Sequence, residues 1–231
     1  MRELLDIAEN LRVIRSLHEW RSRQSEEKSF SIDVYFGSLR PNKYLETRIS
    51  SAITSEEEMA DNASPALADI RRKMKQQAAR IREKLDSIIR SQAYQKVLQD
   101  AIVTQRNGRF VVPVKSEFRG QISGLVHDTS SSGATVFVEP MAVVEANNEI
   151  RVLQGKEHDE IERILTELSA EAGSYAEEIK YSYDAAIELN LIFAKAQLAY
   201  KMKASVPELT DNGITHLKKA RHPLLSSKKV V

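Results

Sequence analysis

The 231-residue chain has no cysteine. That excludes disulfides and thiolate metal sites, and it fits a cytoplasmic protein. No apolar run approaches the roughly 20 residues of a membrane span. The first residues, MRELLDIAENLRVI, place acids on an amphipathic pattern, unlike the apolar centre of a signal peptide. Neither sign of charge is in excess. With 34 Lys and Arg against 33 Asp and Glu, any nucleic-acid site must be a local patch. The phosphate loop G-x-x-x-x-G-K-[ST] is missing, and nothing repeats at solenoid periods. What is present is 42% hydrophobic content, enough for a sizeable core, mostly at helical spacing.

The exception to helical spacing runs from Thr104 to Pro140, TQRNGRFVVPVKSEFRGQISGLVHDTSSSGATVFVEP. Ile102 to Gln105 and Phe110 to Val114 are runs rich in β-branched residues, joined through Arg106-Asn107-Gly108-Arg109. Asn-Gly is a strong hairpin signal because both central positions of a type I′ turn need positive φ. Ile122 to Val126 and Ala134 to Val138 form a second pair, joined by Asp128 to Gly133, which is turn chemistry. The segment predicts four strands in two hairpins.

Helical patterns lie on both sides. Leu4, Ile7, Ala8, Leu11, Ile14 and Leu17 predict a first helix over 3–24, with Trp20 as a core aromatic. Ser22 to Ser31 reads as a loop, Phe30 to Leu39 is ambiguous, and Tyr44, Leu45, Ile49 and Ile53 suggest a short helix. Ser64-Pro65 is a helix start, since serine caps and proline suits the first position. Leu67, Met74, Ile81 and Ile88 recur every seven residues, a narrow seam for one long partner. Residues 65–90 would span roughly 39 Å. After Glu139-Pro140 a second long helix runs from Met141 to about Lys180, and a further one from about Asp184 to Lys203. The polar interval from Gln154 to Glu160 predicts looser packing or bending, with Gly155 as the hinge. His222-Pro223 reads as part of a turn.

Charge pairs the two long helices. Residues 65–90 hold eight basic and three acidic side chains, a net of +5. Residues 141–180 hold four basic and ten acidic ones, a net of −6. Opposite charge along an antiparallel seam selects partner and register more than it stabilises. A nucleic-acid track along the basic helix is the sharper reading, but acidic neighbours disfavour it.

No enzyme site emerges. His127, Asp128 and Ser130 are types found in hydrolases, yet neighbours in a strand point to opposite faces and cannot converge. His158 and Glu162 share a helix face but lack a third ligand. The better candidates lie in the β segment. Arg106, Asn107 and Arg109 mark one hairpin tip. Lys115 and Arg119 flank the next connection, with Gly120 allowing close approach. Ser130, Ser131, Ser132 and Thr135 offer hydroxyls and amides at the second tip. Arginine and lysine neutralise phosphates and small hydroxyls complete the contact. Base readout is not indicated, and ordinary polar turns are the plain alternative. From 101 to 140 there are four basic and three acidic residues. Roughly two to four phosphate contacts imply weak, shallowly salt-dependent binding by one copy.

The run TQRNGRFVVPVK…SGLVHDTSSSGATVFVEP, followed by NNEI and EIERILTELS, resembles the central region of the MutS-II family, bacterial MutS paralogues not dedicated to mismatch repair. Ala220 to Leu225, ARHPLL, resembles the segment leading into that family's ATPase domain. Met1 then reads as a start supplied to a fragment. The resemblance implies a mostly α fold. A helical core (1–64 and 182–231) would carry two antiparallel lever helices (65–92 and 141–181) with a four-stranded antiparallel β clamp (93–140) at their tip. It implies a clamp on DNA or on ribosomal RNA of the ribosome. The intact protein would be a homodimer, paired largely outside this fragment. It would bind ATP and Mg outside the fragment, which itself takes no cofactor and is not an enzyme, and it would carry a C-terminal Smr nuclease-like domain. The implied roles are suppression of recombination on branched DNA and splitting of collided ribosomes. A protein- or ribosome-binding arm, with the Ser-rich loop and Phe118 as contacts, is the alternative of another class; a coiled-coil spacer is a third.

Overall fold

The structure is a computed structural model that describes residues 1–24, 31–218 and 220. The turn at His222-Pro223, the tail Arg221 to Leu225, and most of the stretch from Ser22 to Ser31 lie outside the described residues. Contacts divide the chain into two units, Met1–Glu9 with Tyr44–Ser174 and Asn10–Lys43 with Tyr175–Val231. The described elements are α1 (Arg2–Ser22), α2 (Asp33–Phe36), α3 (Lys43–Ala52), α4 (Pro65–Ile89), β1 (Thr104–Arg106), β2 (Arg109–Lys115), β3 (Gly124–Thr129), β4 (Thr135–Pro140), α5 (Met141–Ser174) and α6 (Ala176–Met202). The fold is mostly α with a small four-stranded antiparallel sheet, as expected.

In the first unit, α4 begins where the serine-proline pair predicts. Ser64 is extended and its Oγ accepts from the Leu67 amide at 2.9 Å. The same hydroxyl donates to Glu160 of α5 at 2.6 Å, so the cap also fastens two helices. Leu67, Ile81 and Leu85 are buried, while Met74 and Ile88 of the heptad are only half-buried. The helix stops at Ile89, one residue short of the 65–90 span read from its spacing. Beyond it the chain is needed at the sheet: the Lys115 amide donates to Val97 O and the Gln99 amide to Pro113 O, both at 3.0 Å.

α5 runs antiparallel to α4. Lys84 Nζ donates to Ala142 O at 3.1 Å, Gln77 Nε2 to Glu149 at 2.7 Å, and Arg71 Nε to Glu157 at 2.6 Å. Arg71–Glu157 is an ion pair across this seam. Arg72 and Lys73 pair instead with Asp69 in their own helix, and Lys75 with Asp61. The opposite charges of the two helices therefore act mainly as a diffuse field. α5 stays helical through Gly155, yet no residue between Leu153 and Ile164 is buried. The polar interval replaces apolar packing without breaking the helix. The break comes at Tyr175 (φ −104°, ψ 9°), earlier than the pattern suggested. Gly173 and Ser174, both poor helix formers, precede it.

The strand order is β1-β2-β4-β3, two hairpins joined through β2 and β4. Asn107 (φ 51°) and Gly108 (φ 75°) occupy the left-handed region that the Asn-Gly signal required. The strand ends are offset by one to three residues from the predicted runs, and a register shift lies between Val126 and Asp128. Val112, Val114, Val136 and Val138 form a core with Ile81 and Leu85 of α4 and Val143 and Ile150 of α5. Gly124 allows the β3 start to meet β4, because a Cβ there would lie 2.2 Å from the Glu139 carbonyl.

In the second unit, Ile14 of α1, Phe36 of α2, Leu39, and Ala185 and Leu189 of α6 form a core. The ambiguous segment thus contributes the short helix α2. Trp20 is 47% exposed, so it is not the core aromatic expected. It lies at the edge, with its ring centroid 5.8 Å from that of Phe36. The buried Ser182 hydroxyl accepts from the Arg40 amide at 2.9 Å.

The polar interval also fixes an ionisation. Arg163 grips both oxygens of Glu160 at 2.7 and 2.8 Å. That grip, helped by the Ser64 hydroxyl, lowers the Glu160 pKa from 4.5 to about 2. A depressed carboxylate pKa contributes stability that is present above 4.5 and lost as pH falls toward 2. NMR titration of the Glu160 carboxyl should show it ionised down to about pH 2, and Arg163→Ala should return it toward 4.5. Native titration near 4.5 would contradict the assignment.

Candidate nucleic-acid interface

The sheet's second face is organised by one carboxylate. Glu139, next to last in β4, has 0% exposure. An ionised carboxylate withdrawn from water is tolerated only when its lone pairs are filled. Arg109 Nη1 donates to both oxygens at 2.8 and 2.9 Å, Asn147 Nδ2 donates to Oε1 at 2.8 Å, and His127 Nε2 meets Oε2. Arg109 also donates to Asn148 Oδ1 at 2.7 Å. β2, β3, β4 and α5 thus converge on a single side chain.

Asn147 does a second job. β4 turns into α5 after Pro140, so it cannot pair with β2 at Phe110. The Asn147 amide substitutes for the missing strand, with Oδ1 accepting from Phe110 N at 3.1 Å and Nδ2 donating to Phe110 O at 3.2 Å. Buried backbone groups need such partners.

The proposed contact residues fall into two groups. Arg106 and Asn107 reach across to β3 and β4: Arg106 Nε is 3.3 Å from Asp128, its guanidinium lies 4.2 Å from the Phe137 ring centroid, and Asn107 Nδ2 donates to His127 O at 3.3 Å. Arg109, counted with them from sequence, is committed to Glu139 and Asn148 and has little charge left for a phosphate. The other group lies where β2 ends. Lys115 and Thr135 are cross-strand partners, and the Ser116 amide donates to Ala134 O at 3.0 Å. Ser116 Oγ also donates to Gly133 O. Those bonds hold the loop of Ser130, Ser131 and Ser132 beside the 3-10 helix Ser116–Gln121, which carries Arg119 exposed. Ser130 Oγ accepts from the Thr135 amide at 3.1 Å, and Gly133 turns the loop with φ 74°. Lys115 Nζ donates to Lys96 O at 3.2 Å, an exposed contact.

Glu139, Asn147 and Asn148 escaped the sequence reading. The available signal was an acid directly after the apolar run Val136-Phe137-Val138, in a strand otherwise reading as core. His127 and Asp128 turn to different partners, Glu139 and Arg106, so the hydrolase-like trio does not converge. Among the described residues no group of three or more His, Cys, Asp or Glu side chains could hold a metal ion. No described helix is long and apolar enough to cross a membrane. Gly155 sits exposed in α5, with open space where a Cβ would be.

No protein-family model matches the chain. Curated relatives match over nearly its whole length. It is 48% identical over 230 residues to Endonuclease MutS2 of Ruminiclostridium cellulolyticum, 47% over 231 residues to that of Acetivibrio thermocellus, and 48% over 231 residues to that of Clostridioides difficile. Each match covers 99% of this chain but 29% of the relative, so the chain spans under a third of the proteins it resembles.

Removing one member of the buried network should cost more than removing an exposed cation. Glu139→Ala strands Arg109 and should lower stability by about 3–5 kcal/mol. Asn147→Ala should cost about 1–3 kcal/mol by leaving Phe110 unpaired. Arg119→Ala should stay within about 0.5 kcal/mol of the parent. Urea unfolding gives all three, and equal losses would contradict this ranking.

Proposed function

We propose that the chain is a segment of a MutS-II protein, that its sheet grips nucleic-acid backbone and that the α4–α5 pair is the lever carrying it. The observation that supports this is the gathering of Lys115, Arg119, Ser130, Ser131, Ser132 and Thr135 at one end of the sheet. Two cations stand there beside hydroxyls, as a phosphate contact requires. Arg106 and Asn107 add a flanking contact. Arg109 supports the grip from within by fixing the sheet through Glu139. In the intact protein, ATP with Mg, bound outside this stretch, moves the lever, and an Smr nuclease-like domain cleaves. A homodimer supplies two grips, whose joint engagement raises affinity through effective concentration. The role is suppression of recombination on branched DNA or splitting of collided ribosomes.

One observation favours a second reading. Arg106 and Arg109 are matched by Asp128 and Glu139, so the sheet offers less free charge than its sequence suggests. A tip that touches a protein, including one of the ribosome, needs less charge than one that touches phosphates, and Phe118 and the Ser-rich loop would then be its contacts.

Binding to duplex DNA, four-way-junction DNA and structured ribosomal RNA across a salt series tests both. The grip reading expects weak binding, a slope reflecting roughly two to four phosphates, and loss of both in Lys115→Ala/Arg119→Ala. Binding unchanged in that variant would sink the grip. No binding by a folded chain would favour the protein-touching tip. For the lever, we take the interval around Gly155 as the flexing point, so amides 154–160 should exchange faster than the turns on either side. Equal protection would remove the hinge.

A further inference from the structure

On the grip reading above, we infer that protonation of His127 turns Arg109 into a phosphate contact and so tightens the sheet's hold. Arg109 carries a charge that the fold has already spent. Glu139, fully buried, takes its guanidinium at 2.8 and 2.9 Å. With a neutral imidazole beside them, the arginine and the carboxylate sum to zero. With an imidazolium the three groups sum to +1. The added charge lies under the first hairpin tip, where Asn107 Nδ2 donates to His127 O at 3.3 Å.

The hydrogen-bond pattern fixes where the proton goes. An ionised carboxylate only accepts, so His127 Nε2, which meets Glu139 Oε2, carries a hydrogen in either state. Nδ1 is left to take up the second proton, and no described residue bonds to it. The His127 side chain is 19% exposed, which opens the ring to solvent, while Glu139 at 0% stays dry. Protonation therefore needs no rearrangement of the anchor. The same contact becomes charge-assisted on both sides.

The groups around the ring do not titrate in its place. The hairpin tip contributes Arg106, β2 Arg109, β3 Asp128, β4 Glu139, and α5 the uncharged amides Asn147 and Asn148. Arginine keeps its charge, and carboxylates ordinarily change theirs below about pH 5, whereas imidazole changes between about pH 5 and 8. Asp128 is engaged by Arg106, so it does not absorb the charge that His127 adds. From 101 to 140, four bases against three acids give +1, and His127 as a fifth base gives +2. More positive charge at a phosphate-binding surface favours the bound state. That state then holds more protons than the free one, and by linkage affinity rises as pH falls.

Binding of the chain to duplex DNA, four-way-junction DNA and structured ribosomal RNA at about pH 6 and about pH 8, in one low-salt buffer, tests the switch. The parent should bind about three- to fivefold more tightly at the lower pH. His127→Gln keeps an amide to donate to Glu139 but cannot titrate, so its affinity should be the same at both. Glu139→Gln removes the charge that holds Arg109, so at the higher pH it should match the parent at the lower. Equal parent binding at the two pH values overturns the switch and leaves the grip standing. So does a pH response undiminished in His127→Gln, or a folded Glu139→Gln that binds no more tightly than the parent at the higher pH. No binding at either pH by a folded parent overturns switch and grip together. The histidine variant decides the matter even if Glu139→Gln fails to fold.

Discussion

The first unit depends on one buried carboxylate. Glu139 sits where the sheet ends and α5 begins, and withdrawing it from water is costly unless every lone pair is filled. Arg109, Asn147 and His127 fill them, and each comes from a different element. The carboxylate therefore joins β2, β3 and α5 to β4 at one point. A hydrophobic contact in its place would tolerate sliding. A carboxylate whose two oxygens share one guanidinium nitrogen and which also accepts from an amide does not, because hydrogen-bond geometry is directional. The angle at which the sheet meets the helix pair is thus tied to hydrogen bonds as well as to packing.

This dependence bears on how the sheet could act. Helix α5 holds Asn147 and Asn148, about two turns after the carboxylate that Asn147 supports. Any rotation of α5 moves the amide that completes the strand pairing at Phe110. Further along, α5 meets α4 through polar contacts, Arg71 with Glu157 and the Ser64 cap with Glu160, in an interval without buried residues. The pair is thus joined by packing and a buried network at the sheet, and on the α5 side midway along it by polar contacts alone. In the proposed grip, Arg109 would stiffen the sheet from within, and exposed Arg119 with half-buried Lys115 would make the contact.

Much of this was legible in the residues. Asn107-Gly108 announced its turn because few other pairs accept positive φ at both centres, and Ser64-Pro65 announced a cap because little else suits both positions. Local stereochemistry decides such features, and it is written locally. The path after α4 was less legible: no local signal marks Val97 and Gln99 as partners of the β2 edge. Trp20 misled for a similar reason, since periodicity places it near a face but cannot tell the face's centre from its edge. Arg109 was hardest. Its sequence neighbours mark an exposed hairpin tip, and only the register that brings Glu139 beside it shows where its charge goes.

Formal charge and available charge therefore differ in this sheet. Four basic residues against three acidic ones read as a weakly basic surface. Once Arg109 is neutralised by Glu139, and Arg106 is shared between Asp128 and Phe137, what remains is the Lys115–Arg119 end, where exposed Glu117 between the two bases leaves a net of only +1. A patch that small steers a ligand only over about a Debye length, roughly 8–10 Å at ordinary ionic strength. It selects by contact more than by long-range attraction. If the sheet closes on a polyanion, as proposed, affinity would have to come from holding two such patches together, because one alone offers so little charge.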